Sequence, residues 1–186
     1  MFEKAGISIL TPIEYEQLRG QASKKGKYQL DLLLYTGMRY AEVQKLHKNP
    51  GWFDSERKTI HLPKTADRKV KRVSPDRYVI LSNLGNFIID RYFEEKRPPF
   101  PSYVAFYKNM KRWAKKAKLN ANISLKTTRK TWESWLTVSF PQLVPVIAMS
   151  QGHTTLIAMQ HYINIPFSPF EIKQIKEKTA GWDRSA

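Results

Sequence analysis

The chain has 186 residues, 41% of them hydrophobic and 12% aromatic, which suits one folded domain and excludes a disordered chain. Its 32 Lys and Arg against 16 Asp and Glu give a formal charge of +16, which favours nucleic acid over a membrane surface as the partner. The absence of cysteine excludes disulfides and cysteine-ligated metals, and no signal peptide or membrane-spanning stretch occurs. A soluble, cytoplasmic protein is therefore expected.

Helical signals dominate the N-terminal part of the chain. After a short extended segment, Thr11 and Glu14 flank Pro12 in the pattern of a capping box, which predicts a helix start. Leucines at helical spacing predict a second helix over Lys27–Tyr35. Gly37 then provides the left-handed residue at which such helices end, and a further helix follows at once.

Short β-type stretches replace the helical pattern between residues 52 and 81. They predict a small antiparallel sheet with strands at Trp52–Phe53, Thr59–Leu62 and Tyr78–Leu81. The segment between the second and third strands holds five basic residues, so a basic loop suited to a DNA groove is expected. These residues are Lys64, Arg68, Lys69, Lys71 and Arg72.

The rest of the chain is predicted to be almost wholly helical. The last helix begins at Ser168 in a second capping-box pattern and ends before Gly181. The fold class is therefore mostly α with a small antiparallel β-sheet (α+β). The helices are predicted over Asn83–Lys96, Ser102–Lys118, Lys126–Ser139, Leu143–Met149, Thr154–Ile163 and Ser168–Thr179.

Three segments together carry a family resemblance. They are Thr36-Gly37 followed by Arg39 and then Glu42; Lys126 three residues before Arg129; and Gly152-His153 with Tyr162 nine residues after the histidine. In this order and spacing the chain resembles the tyrosine recombinase (phage integrase) family, from Thr11 to about Ile163. The resemblance implies the tyrosine recombinase catalytic fold, and an enzyme that cleaves and rejoins DNA through a 3′-phosphotyrosyl intermediate.

The resemblance implies that Tyr162 attacks the scissile phosphate. Arg39 and Arg129 are the candidate phosphate clamp, because a planar guanidinium grips two oxygens and keeps its charge. Glu42 would hold Arg39 in position. The alternatives are a surface salt bridge between Arg39 and Glu42, and a tyrosine that only packs its ring.

Three further residues are implied in the chemistry. Lys64 is the candidate general acid for the departing 5′ oxygen, with Lys69 and Lys71 as rivals in the same loop. His153 is a candidate donor to the phosphate or proton carrier, a capping or packing role being the alternative. Lys126 stands where the family usually has histidine, so it supplies charge but is a poor proton shuttle near neutral pH.

The resemblance also implies organisation and partners. Residues 1–163 form the expected catalytic domain, and residues 164–186 a tail helix that packs on a neighbouring protomer. Double-stranded DNA is the expected partner, with a homo-tetramer on DNA, a monomer when free, and no metal, cofactor or membrane. Relatives carry a separate N-terminal DNA-clamping domain, and viral genome integration is one role of the family.

Three other functions remain open from the sequence. A type IB topoisomerase-like enzyme would use the same tyrosine chemistry to relax supercoils without exchanging strands. A non-catalytic DNA-binding module would keep the basic surface and lose cleavage. A basic ribosome-associated protein would prefer RNA to duplex DNA.

Overall fold

The computed structural model describes residues 2–4, 6–64, 76–95, 99–119, 122–153 and 165–184. The described residues form eight helices and two small antiparallel sheets, which confirms the predicted fold class. The predicted helix over Thr154–Ile163 lies outside the described residues. In chain order the elements are β1 (Phe2–Lys4), β2 (Ile7–Ile9), α1 (Pro12–Gly20), α2 (Lys24–Thr36), α3 (Tyr40–Lys48), β3 (Phe53–Asp54), β4 (Thr59–Leu62), β5 (Arg77–Ile80), α4 (Asn83–Glu94), α5 (Tyr103–Lys116), α6 (Leu125–Ser139), α7 (Val144–Gln151) and α8 (Pro169–Thr179).

Helix α2 lies at the centre of the core, between α4 and α6. Its consecutive residues Leu32, Leu33 and Leu34 are all fully buried, as expected only for a helix that is covered on every side. Each buried leucine stabilises the fold by about 1.5–3 kcal/mol. Tyr35 then packs edge-on against Trp132 of α6, with ring centroids 5.5 Å apart. The C-terminal end of α2 is therefore held firmly in place.

The extended segment predicted before α1 forms a hairpin. Strands β1 and β2 pair antiparallel, with Phe2 opposite Ile9. The hairpin is attached to α6, because Leu10 N–H donates to Thr131 Oγ1 (3.0 Å) and Trp135 Nε1 donates to the Leu10 carbonyl (3.0 Å). These bonds join residues more than a hundred positions apart, which no local pattern reveals.

The three-stranded sheet has the order β3-β4-β5 and is antiparallel, as predicted. The first strand begins at Phe53, one residue later than predicted, because Pro50–Trp52 forms a 3₁₀ turn. Along β5 the side chains alternate, with Arg77 and Val79 buried and Tyr78 exposed. The alternation turns an arginine towards the interior.

Helix α8 packs against α1, α4 and α6 of its own chain. Ile175 and Trp182 are buried there, and Trp182 Nε1 donates to the Ile80 carbonyl (2.9 Å). The capping box at Ser168 is formed as predicted. Packing of residues 164–186 on a neighbouring protomer stays a prediction, and only the outer face of α8 is open to it. None of the described helices is both long and apolar enough to cross a membrane.

Candidate active site

Two glycine turns set the geometry of the site. Gly37 ends α2 with φ 60° and Gly152 ends α7 with φ 73°, in the left-handed region that favours glycine. A Cβ on Gly152 would lie only 2.8 Å from Nε of Arg77, so a larger residue has no room. Each glycine stands just before a predicted site residue, and the two turns bring Arg39 and His153 to the same region.

Arg39 lies at the entrance of α3 and is held by two partners. Its Nη1 donates to Glu42 Oε1 (2.8 Å), and its backbone N–H donates to Oε2 of the same carboxylate (2.7 Å). Its Nη2 donates to the Gly152 carbonyl (3.4 Å). The Arg39 side chain is 44% exposed, so it remains accessible to a bound anion.

Glu42 joins Arg39 to a second arginine that sequence reasoning missed. Arg77 Nη2 donates to Glu42 Oε2 (2.9 Å), and its Nε donates to the Ser150 carbonyl (3.1 Å). Burial raises the pKa of Glu42, but the charges of Arg77 and Arg39 outweigh it and bring the pKa below its usual range. The sequence did contain a signal for Arg77. It lies two residues before Val79 on a half-buried strand, so both side chains point to the inner face of the sheet.

Arg129 ties the two glycine turns together from α6. Its Nη1 donates to the Gly37 carbonyl (2.8 Å), and its Nη2 donates to the Gln151 carbonyl. Burial, together with the positive charge of Arg39, lowers the pKa of Arg129 to about 10. The group is therefore still charged at neutral pH, and a bound anion would offset the repulsion between the guanidinium groups.

The two predicted clamp arginines thus meet at the end of α7. Arg39 reaches the carbonyl of Gly152 while Arg129 reaches the carbonyl of the preceding residue, Gln151. Neighbouring guanidinium groups that converge in this way are suited to binding a phosphate oxygen on each side. The structure brings together Arg39, Glu42, Arg129 and His153.

His153 follows the Gly152 turn and contacts a buried carboxylate. Its Nε2 lies 2.5 Å from Oε1 of Glu133, whose side chain has no exposed surface. The two atoms are in close contact without the geometry of a regular hydrogen bond. Sequence reasoning missed Glu133, although it lies one helical turn after Arg129 on α6.

A groove of about 1240 Å³ opens beside these residues. It runs between the β3-β4-β5 sheet, α7 and the C-terminal segment. Its wall includes Arg77, Gly152 and His153 together with the apolar side chains of Tyr78 and Met149. The site therefore lies at the edge of an open groove and is not enclosed in the core.

Comparison with solved structures identifies the fold. No family model and no curated protein matches the chain. The crystal structure of XerA recombinase superposes with a TM-score of 0.65 at 15% identity, covering 91% of this chain and 64% of that one. The Tn1549 transposon integrase in complex with transposon right end DNA gives a TM-score of 0.65 at 18% identity, with the same two coverages.

The chain has the tyrosine recombinase catalytic fold. XerH site-specific recombinase bound to a palindromic difH substrate shares it with a TM-score of 0.59 at 15% identity, over 95% of this chain and 53% of XerH. The chain spans about 64% of the length of XerA and of the solved Tn1549 integrase. At these identities the likeness establishes the fold alone.

Two lysines that were predicted as site residues, Lys126 and Lys64, lie at the surface. Lys126 is exposed in the first turn of α6, where its backbone N–H donates to Ser124 Oγ (3.2 Å). It stands three residues before Arg129, so the two share one side of the helix. Lys64 is exposed two residues after the end of β4, and within the described residues no hydrogen bond or ion pair joins it to Arg39 or Arg129.

The remaining predicted site residues lie outside the described residues. They are Tyr162 and the loop residues Arg68, Lys69, Lys71 and Arg72. Across the ranges that the structure describes, no three His, Asp or Glu side chains gather into a cluster that could hold a metal ion.

The position of Lys126 leads to a prediction about charge. If this lysine acts as a cation at the phosphate, Lys126→Arg should keep part of the DNA cleavage activity and Lys126→Ala should lose most of it. Neither change should alter folding, because the side chain is exposed. Single-turnover cleavage of a nicked duplex would measure both rates, and near-normal rates for both variants would assign the position a structural role.

Proposed function

We propose that the chain is the catalytic domain of a site-specific DNA recombinase or integrase. The observation that carries this proposal is the convergence of Arg39 and Arg129 on neighbouring carbonyls at the edge of an open groove, within the tyrosine recombinase fold. A pair of arginines in this arrangement stabilises the negative charge that develops on a phosphate under attack. The fold supports this function, and the positions of the two arginines supply the charge stabilisation that the reaction needs.

The proposed reaction exchanges one phosphodiester bond for another. The phenol oxygen of Tyr162 gives its proton to water and attacks the phosphorus, while the bond from phosphorus to the 5′ oxygen breaks. The 5′ oxygen takes up a proton from Lys64 and leaves as a hydroxyl, and the 3′ end stays on the enzyme as a phosphotyrosine. Attack by a 5′ hydroxyl reverses these steps and rejoins the strand.

The other site residues support this transfer. Arg39 and Arg129 bind the non-bridging oxygens, and Glu42 keeps Arg39 aligned through its bidentate contact. His153 adds a hydrogen-bond donor near the same phosphate, and Lys126 adds positive charge. No step needs a metal ion or a nucleotide cofactor, because the phosphotyrosyl bond keeps the energy of the broken bond for rejoining.

Helix α5 offers a second basic surface for the DNA backbone. Its exposed side carries Lys108, Arg112 and Lys115 at helical spacing. The helix is anchored next to the clamp, since the Tyr40 hydroxyl donates to the Pro101 carbonyl (2.8 Å) just before α5. We propose that α5 and the basic loop residues Arg68, Lys69, Lys71 and Arg72 bind duplex phosphates.

Binding to duplex DNA should be strongly salt dependent. For about six phosphate contacts the affinity should fall by about a thousandfold between roughly 50 mM and 200 mM salt, because counterions released on binding must be displaced again. Arg112→Gln should reduce the slope of log affinity against log salt concentration by about one, because one phosphate contact is lost. Arg91→Gln should leave the slope unchanged, because Arg91 on α4 is already paired with Glu95. Fluorescence anisotropy at several salt concentrations measures the slope, and a flat dependence would contradict a phosphate-binding surface.

One strand-exchange experiment distinguishes a recombinase from the two alternative functions. A recombinase is expected to assemble as a tetramer on DNA from free monomers and to join strands of two different duplexes. A type IB topoisomerase-like enzyme would relax a supercoiled plasmid without producing hybrid strands, and a non-catalytic DNA-binding module would do neither. Two duplexes with different fluorescent labels report hybrids, and a supercoiled plasmid in the same reaction reports relaxation.

A further inference from the structure

Glu133 is a buried carboxylate that the proposed reaction does not use. It lies on α6 with no exposed side-chain surface, and neither of its oxygens accepts a regular hydrogen bond from a described residue. Burying a carboxylate without a partner is costly, so its negative charge needs a nearby cation. Three basic groups are near enough to supply it: those of Arg129, Lys130 and His153.

Two of these three groups are engaged elsewhere. Arg129 directs both terminal nitrogens to backbone carbonyls, and Lys130 Nζ donates to the Lys4 carbonyl (2.8 Å). Both still contribute long-range attraction, since Glu133 raises the pKa of each of them against the lowering effect of burial. His153 is the group in close contact with the carboxylate, with Nε2 and Oε1 2.5 Å apart.

The short distance requires a hydrogen between His153 and Glu133. A bare ring nitrogen and a carboxylate oxygen both present lone pairs, which repel each other at this distance. Placing the hydrogen on Nε2 removes the repulsion and keeps Glu133 charged, and the partner of one ring nitrogen sets the state of the whole imidazole. Within the described residues, the charged groups near the His153 turn include Glu133, Arg129 and Lys130 on α6, Arg39 with its partner Glu42 at α3, and Arg77 on β5.

We propose that Glu133 is a positioning residue that fixes the ring of His153 with its Nε2 hydrogen facing the core. The ring then has one orientation, and its Nδ1, when it carries hydrogen, donates to the scissile phosphate. The contact with His153 also offsets the buried negative charge of Glu133. This inference rests on the proposed function for its catalytic part, while the pairing itself is a property of the folded chain without DNA.

The pairing can be tested on the protein without DNA. The chain has four histidines, His47, His61, His153 and His161, so ¹⁵N-histidine NMR is simple to assign with a His153→Gln variant. The signal of His153 should show hydrogen on Nε2 in the unmodified chain, and a mixture of ring states in Glu133→Gln. Identical His153 spectra in the two proteins, or an unprotonated Nε2 in the unmodified chain, would overturn the proposal.

The catalytic part is tested by cleavage of a nicked duplex. Glu133→Gln should lower the cleavage rate by about ten- to a hundredfold, as for other groups that orient a functional histidine, and should change the pH dependence of the rate near neutrality. DNA affinity should not fall, because a negative charge is removed. Glu133→Asp should recover part of the rate, since it keeps the charge.

A matched control separates this role from general loss of stability. Arg91 and Glu95 repeat the spacing of Arg129 and Glu133 as an exposed pair at the end of α4, so Glu95→Gln should leave rate and pH dependence unchanged. An unchanged pH dependence in Glu133→Gln, with the rate falling only in proportion to folded protein, would overturn the positioning role. If the unmodified chain cleaves no DNA, the proposed function fails while the NMR result still decides the pairing.

Discussion

Replacing Arg129 by alanine should lower the rate of DNA strand cleavage by about two to three powers of ten, as expected when one transition-state donor is lost. The structure gives the reason for so large an effect. Arg129 is a largely buried cation whose pKa is lowered to about 10 by burial and by Arg39, and within the described part of the chain its terminal nitrogens bond backbone carbonyls and no carboxylate. A phosphate with developing charge is the anion that fits it.

Arg129→Lys is the informative companion variant. It keeps the charge but replaces the planar fork with one ammonium, so it should recover only part of the rate. Because Arg129 also bonds the carbonyls of Gly37 and Gln151, thermal unfolding must be measured for both variants. Arg91→Ala, which removes an exposed arginine from α4, is the control and should stay within about twofold of the unmodified rate. A folded Arg129→Ala protein that cleaves at a normal rate would remove Arg129 from the clamp.

Much of the fold follows from local signals in the sequence. The capping boxes at Thr11 and Ser168 and the left-handed residue Gly37 are formed as predicted, because capping depends on residues within one helical turn. The strand over Thr59–Leu62 was also predicted, since β-branched and apolar residues fit a half-buried sheet.

The features that were missed depend on distant contacts. The β1-β2 hairpin is secured by bonds to α6, and Arg77 acquires its role only when Glu42 and Ser150 fold against it. Glu133 has no signal apart from its helical spacing from Arg129, because the partner His153 comes twenty residues later on another element. Sequence separation of this kind conceals a site even when each helix is predicted.

Replacing Tyr162 by phenylalanine should abolish covalent attachment to DNA. The change removes one oxygen and keeps the ring, so folding and DNA affinity should change little. The expected loss is complete because phenylalanine has no nucleophile to attack the phosphate. Tyr40→Phe serves as the matched control: Tyr40 lies next to Arg39 with its hydroxyl bonded to the Pro101 carbonyl, and burial raises its pKa well above the usual value. That variant should still form the adduct.

In the proposed reaction Tyr162 forms a 3′-phosphotyrosyl bond with DNA. The most direct measurement incubates the protein with a nicked duplex whose short cleaved fragment diffuses away, resolves denatured products on a gel, and maps the modified peptide by mass spectrometry. We expect a denaturation-resistant adduct on Tyr162 that is absent from Tyr162→Phe, with a free 5′ hydroxyl on the released strand. An adduct that persists in Tyr162→Phe, one that maps to another residue such as Tyr40, or no adduct in the unmodified chain would contradict it.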